Sequence, residues 1–193
     1  HDLALLEIAS GTGQHAAALA QALPVLRVQP TEYAGGAGSP EATAHDDLEP
    51  LFASIREWGA PFSPRVLPPI ALDASAAAWP VDEERYDAIF ASNLLHISPE
   101  SVCAGLFAGA GRVLVPGGAL LVYGPFMLNG AHTAPSNVAF DERLRSQNSE
   151  WGVRCVNELA DLAASHGINL VERIDMPANN MILHFCKARS EDT

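Results

Sequence analysis

Apolar positions along this chain fall into short, nearly unbroken runs, separated by stretches in which they recur every three or four residues. The first run, Leu3 to Ile8, is broken only by Glu7 and ends in a small-residue turn, Ala9-Ser10-Gly11-Thr12-Gly13. Ala16, Leu19, Ala20 and Leu23 then follow the i, i+3, i+4, i+7 spacing of a helix. Strand, glycine turn and helix in that order leave backbone N–H groups at a helix N-terminus free to face a ligand. Gly11 and Gly13 lack a Cβ, which permits positive φ and a close approach to the backbone.

The same alternation continues. Val25 to Val28 reads as a second strand reaching Pro30-Thr31-Glu32, and residues 34–47, rich in Gly, Ala, Ser and Pro, read as a flexible insertion. Leu48, Leu51, Phe52 and Ile55 predict an amphipathic helix stopped around Gly59 and Pro61. Val66 to Leu72, closing on Asp73, and Tyr86 to Ala91 predict strands three and four, the latter apolar as a strand buried on both faces should be. Ser98-Pro99 fits an N-cap followed by proline at the first helical position. The helix it starts carries Val102, Leu106, Phe107 and Ala110, and Pro116-Gly117-Gly118 turns the chain into a fifth strand, Ala119 to Tyr123. A polar loop over 124–137 precedes a helix running to about Arg145. Another helix carries Val156, Leu159, Ala160 and Ala163, with Gly167 as its stop.

Leu170 to Ile174 and Met181 to Phe185 are the last two strands. Their connection is too short for a parallel return, so they pair antiparallel. Five βα units and this terminal pair predict an α/β fold: a seven-stranded, mostly parallel sheet with helices on both faces, in one domain over residues 1–193.

Composition narrows the function. A chain of 193 residues that is 48% hydrophobic is long and apolar enough for a sizeable core, which excludes a disordered protein. Its formal charge of −12, with no cluster of Lys or Arg, argues against nucleic acid as partner, because that affinity rests on cations neutralising phosphates. Cys103, Cys155 and Cys186 have no metal-finger or CxxC spacing and read as free thiols of a reducing compartment. His1, His45, His166 and His184 show no ligand spacing, so no metal site is expected. No apolar run reaches the ~18 residues of a membrane span. With no signal peptide visible, an intracellular setting is expected, either cytoplasmic or a processed organellar form. The first residue, His1, implies a processed or truncated chain.

Gly11-Thr12-Gly13-Gln14-His15-Ala16 fits the dinucleotide fingerprint G-x-G-x-x-G/A, and Glu32 follows Gly13 by 19 residues, near the spacing of a ribose-binding acid. A tight turn that packs helix on sheet without any ligand is the plainer alternative. Three features shift the balance from NAD: Glu7 inside the first strand, Asp73 at the end of the third, and the Arg112–Val122 junction around Pro116-Gly117-Gly118. Together they resemble the class I S-adenosylmethionine-dependent methyltransferases, whose fold is Rossmann-like. The resemblance implies that Glu7, Ala9, Ser10, Gly11 and Gly13 form the turn around the methionine part, with Ala9 where the family pattern has its first glycine. It also implies Glu32 on the ribose hydroxyls, Asp73 near the adenine, Asn93 beside the cofactor, and S-adenosylhomocysteine as product.

Further motifs are similar to the DUF938 family, which includes methyltransferase-like protein 26. They are Leu6–His15, Gln29-Pro30-Thr31-Glu32, Ser92–Ile97, Tyr123-Gly124-Pro125-Phe126, Pro135-Ser136-Asn137, Glu150-Trp151-Gly152-Val153-Arg154 and Met176-Pro177-Ala178-Asn179-Asn180, and they cover almost the whole chain. The resemblance implies a helical segment with an Arg-Asn pair ahead of the first strand, which this sequence lacks. It also implies an acid followed closely by the second helix. Here that acid is Glu32 and residues 34–45 are extra, which leaves Asp46 and Asp47 as rivals for the ribose.

Methyl transfer needs an aligned nucleophile and exclusion of water, and a base only when the nucleophile carries a proton. Asn93 and His96, after strand four, are the candidates at the carboxyl end of the sheet. His96 is the candidate base, and its plainer reading is a packed or capping histidine. Tyr123 and His132 are further catalytic candidates. Ser136, Asn137, Asn179 and Asn180 either join them over the substrate or serve as cap and turn residues. His15 reads as a first-turn contact.

The leading expectation is an S-adenosylmethionine-dependent methyltransferase acting on a small-molecule acceptor. An inactive methyltransferase-like subunit of a larger complex is the alternative, and an NAD-dependent reductase the third.

Overall fold

The computed structural model describes residues 2–33 and 48–189; the expected 34–47 insertion, His1, His45, Asp46 and Asp47 lie outside them. β1 (Leu3–Ile8) leads through the glycine turn into α1 (Gln14–Ala22), then β2 (Leu26–Glu32), α2 (Glu49–Gly59), the short β3 (Ile70–Ala71) and β4 (Tyr86–Ser92). There follow α3 (Glu100–Val113), β5 (Leu114–Gly124), β6 (Phe126–Leu128), β7 (Ala131–His132) and α4 (Pro135–Gln147). The chain continues with β8 (Arg154–Cys155), α5 (Val156–Ala164), β9 (Ile168–Met176) and β10 (Asn180–Lys187).

The main sheet has seven strands in the order β3-β2-β1-β4-β5-β10-β9. β1 to β5 are parallel, while β10 runs antiparallel to both β5 and β9. The expected mostly parallel sheet with its C-terminal antiparallel pair is therefore present, and β10, the last strand, lies inside β9. After β3 the chain returns across the sheet to β4 on the other side of β1. Such a switch point opens a crevice at the carboxyl ends of the central strands.

Alternation along β1 divides the core. Leu5 packs with Ala16 and Ala20 of α1, while Leu6 and Ile8 join Ile89, Leu106, Phe107 and Leu159 on the face covered by α3 and α5. A strand sandwiched between helix layers must be apolar on both sides, which explains the unbroken run in the sequence.

Four expectations need correction. The connection from β3 to β4 contains no helix, so the third of the five expected βα units is incomplete. Its place against α3 is filled by the Ala74–Trp79 segment. A Cβ on Gly105 would lie 2.1 Å from the Ala74 carbonyl oxygen, and one on Gly109 would lie 2.2 Å from the Trp79 ring. Two glycines on α3 thus let an irregular segment lie where a helix was expected. Ser98 does not cap α3; its hydroxyl donates back to the Leu94 and Leu95 carbonyls, and Pro99 occupies the N-cap. The 124–137 stretch is not all loop, because β6 and β7 form a second sheet with β8 in the order β7-β6-β8. β5 begins at Leu114 and runs through Pro116-Gly117-Gly118, with a register shift against β4 between Tyr86 and Ala88 that absorbs the irregularity.

Candidate functional site

The glycine turn is built on three left-handed departures at alternate residues. Ala9, Gly11 and Gly13 all have positive φ, at 57°, 57° and 89°. The turn is tied to β2 by Ser10, whose N–H donates to the Thr31 carbonyl at 2.8 Å and whose hydroxyl accepts the Thr31 N–H at 3.2 Å. Thr31 in turn donates its hydroxyl to the Glu7 carbonyl at 2.8 Å. Glu32 completes the tether: Oε2 accepts the Gly11 N–H at 2.7 Å and Oε1 accepts the Tyr33 N–H at 3.0 Å. Each oxygen keeps a lone pair for a further donor.

The two glycines differ. A Cβ on Gly11 would meet nothing within 4 Å, whereas one on Gly13 would lie 2.7 Å from the Ile55 Cα. The close approach at Gly13 is therefore made by α2, and Ser54 on the same helix donates to the Thr12 carbonyl at 2.9 Å. Among the described residues no side chain caps the N-terminus of α1.

Glu7 lies beneath this turn at 1% exposure, and neither carboxylate oxygen has a hydrogen-bond partner among the described residues. Burial pushes its carboxyl up to about 7; the Ser10 hydroxyl pulls the other way and the negative Glu32 adds to the rise. His15 Nδ1 lies 3.7 Å from Glu7 Oε1, and its ring stands edge-on to Phe90. In the first turn of α1, His15 thus packs against β1 and β4.

A cleft of about 600 Å³ opens at the carboxyl ends of the central strands. Ala9 and Glu32 line it together with Asp73, Leu48 and Leu51 of the α2 side, Leu94 and Ile97 after β4, and Trp151. Asp73 Oδ1 accepts from the N–H and hydroxyl of Ser75, which fixes the turn after β3.

Beside the cleft, Asn93 has φ 57° and donates its N–H to the Tyr123 carbonyl. His96 follows on a 3₁₀ turn, buried to 6% exposure and edge-on to Phe140 of α4 at 5.3 Å. Burial, and then the positive Arg154, lower its imidazole to about 4, so it is neutral at physiological pH. Gly124 makes room for both groups, since a Cβ there would lie 3.3 Å from His96 Nδ1 and 3.9 Å from Asn93 Oδ1.

Tyr123 joins a polar set at the same end of the sheet. Asn180 Nδ2 donates to the Tyr123 hydroxyl at 3.0 Å, Asn179 Nδ2 to the Ser136 hydroxyl at 3.1 Å, and Asn137 Nδ2 to the Asn179 carbonyl at 3.1 Å. These residues fasten the β9–β10 turn to β5 and the start of α4. His132 stands apart, its Nε2 3.6 Å from Asp141 Oδ2 and its Nδ1 buried without a partner among the described residues. Among the described residues no three or more His, Cys, Asp or Glu side chains form a group able to hold a metal ion, and no helix is long and apolar enough to cross a membrane.

Sequence reasoning gave no role to Gly124, Phe140, Trp151 or Arg154. The last two lie in the Glu150–Arg154 motif, and that motif was the one usable signal. Its side chain is only 11% exposed and donates to the backbone carbonyls of Leu95, Ser98 and Glu150.

Strand order, crevice and turn together define a Rossmann-like methyltransferase fold. Mitomycin 7-O-methyltransferase MmcR superposes with a TM-score of 0.75 at 18% identity, covering 97% of this chain and 49% of that protein. An O-methyltransferase family 2 protein from Planctomyces limnophilus, solved in complex with apigenin, gives 0.74 at 22% identity over 96% of this chain and 51% of that one. The S-adenosylmethionine-dependent methyltransferase SibL in its apo form gives 0.73 at 19% identity over 98% and 51%. The chain spans about half the length of these structures. It belongs to the DUF938 family, described as a protein of unknown function, whose model matches residues 1–187.

Proposed function

We propose that this chain is an S-adenosylmethionine-dependent methyltransferase acting on a small-molecule acceptor. The observation that carries the reading is the cleft itself: it joins Ala9 at the start of the glycine turn, Glu32 and Asp73 along the carboxyl ends of successive parallel strands, and Glu32 in turn holds the Gly11 N–H. That donor set fits the cofactor. Glu32, already bonded to two N–H groups, keeps acceptor capacity for a ribose diol. Asp73 uses Oδ1 in its own turn and offers Oδ2 to an amino group. The turn at Gly11 and the uncapped start of α1 offer space and N–H donors to a carboxylate. S-adenosylmethionine supplies, when bound, a methyl group activated on a sulfonium.

Asn93, His96 and Tyr123, which lie behind the cleft-lining Leu94 and Ile97 rather than in the lining itself, are the proposed acceptor side. His96, neutral at pH 7, accepts a hydrogen bond from an acceptor hydroxyl and orients it. With its imidazole near 4 it is a weak base, so its contribution lies in alignment, and the acceptor's proton leaves to solvent without it. His132, paired with Asp141, supports this end of the fold from outside that group. The acidic surface of the chain, and neighbours named for mitomycin or solved with apigenin, support a small molecule over nucleic acid.

Isothermal titration with S-adenosylmethionine and S-adenosylhomocysteine tests the reading, with micromolar binding expected. No binding of either would overturn it in favour of a non-catalytic subunit, and binding of NAD(P)H instead would point to a reductase.

A further inference from the structure

The connection between α4 and β8 is pinned at several points and places an indole in the cleft wall. Its turn is closed by the Trp151 N–H donating to the Asn148 carbonyl at 3.0 Å and the Glu150 N–H to Asn148 Oδ1 at 2.9 Å. The Val153 N–H is anchored to α4 through Asp141 Oδ1 at 2.7 Å. Towards the sheet, the Gly152 N–H donates to the His96 carbonyl at 3.0 Å. Arg154 spans both segments: Nε donates to the Leu95 carbonyl at 3.2 Å, and Nη2 to the Ser98 carbonyl at 2.5 Å and the Glu150 carbonyl at 2.9 Å. One guanidinium thus locks the turn carrying His96 to the turn carrying Trp151.

Trp151 is half-buried and lines the same cleft as Asp73, Ala74, Ser98 and Val102. Of the other two tryptophans, Trp79 is buried against α3 and Trp58 is exposed on α2 outside this cleft. A rigidly mounted indole beside an apolar wall and an acid able to accept from an amino group suits a flat, amino-bearing heteroaromatic ring. Resting on the cofactor reading above, we propose that Trp151 is the aromatic wall against which the cofactor's adenine packs, and that Arg154 is the positioning residue that sets it there.

The test uses the full chain in a Trp58→Phe background, so that emission reports on Trp79 and Trp151. Titration with S-adenosylhomocysteine, followed by fluorescence and calorimetry together, should change the emission. Trp151→Ala should weaken affinity roughly tenfold or more, the scale seen when an aromatic platform under a base is removed. Trp151→Phe should retain most of it, and adenosine alone should lose the same factor as the whole ligand. Arg154→Ala should weaken binding too, but add little once Trp151 is already alanine, since the two changes act through one contact. Calorimetric binding with unchanged affinity in Trp151→Ala would overturn this assignment and leave the cofactor reading standing. Absence of calorimetric binding in the parent chain would remove both.

Discussion

Glu32 reaches back across the top of the sheet to accept the Gly11 N–H at 2.7 Å, joining the end of β2 to the turn after β1. One carboxylate therefore shapes the turn and stands ready for a ligand. Glu32→Ala should lower S-adenosylhomocysteine affinity at least tenfold and cost about 1.5–3 kcal/mol of stability, the range for losing a charge-assisted hydrogen bond. Glu32→Gln keeps an oxygen for the N–H and should lose less of both. Calorimetry and thermal unfolding of the two variants separate these contributions.

Gly11 and Gly13 should fail in different ways. At Gly13 a methyl group meets the Ile55 Cα at 2.7 Å, so Gly13→Ala should destabilise by about 2–4 kcal/mol, combining overpacking with left-handed strain. At Gly11 the space is open, and Gly11→Ala should cost only about 1 kcal/mol while weakening ligand binding disproportionately. Equal stability losses in denaturant titrations would refute the distinction.

Ala9 holds φ 57° where a glycine would be unstrained. Ala9→Gly should raise stability by about 0.5–1 kcal/mol, because relief of the left-handed penalty exceeds the added freedom of the unfolded chain. Calorimetric scanning should register a rise of about 1–4 °C for a chain of this size.

Two buried titrating groups set opposite pH limits. Glu7 carries a raised value of about 7 against 4.5 unfolded, so the folded state holds its proton more tightly. Its contribution is complete below pH 4.5 and is lost as pH rises through 7. His96, lowered to about 4 from 6.5, contributes fully above 6.5 and loses that contribution as pH falls through 4. Glu7→Gln should therefore be more stable than the parent at pH 8 by a few kcal/mol, with the gap closing towards pH 4. His96→Gln should flatten the acid limb of the stability profile. A methyl-transfer rate depending on His96 should show no inflection from it between pH 5.5 and 8.

Much of the fold was legible because local patterns carried it. Leu3–Ile8 is β1, and the antiparallel pairing of β9 with β10 followed from the shortness of their connection. Glu32 and Asp73 were placed by their positions at strand ends. Other features depended on residues distant in sequence. The missing helix after β3 reflects Gly105 and Gly109, some 30 residues further on, which accept the Ala74–Trp79 segment against α3.

The division is sharpest at the site. The sequence alone determined the parallel sheet, the glycine turn and the acids around it, since hydrophobic period and turn chemistry act over a few residues. Only the tertiary structure decided that Gly13 yields its space to Ile55, that Trp151 lines the cleft, and that His96 is buried under Phe140 with Arg154 nearby. Those facts depend on side chains brought together across the fold, where burial and neighbouring charge, which local spacing does not encode, fix what each group can do.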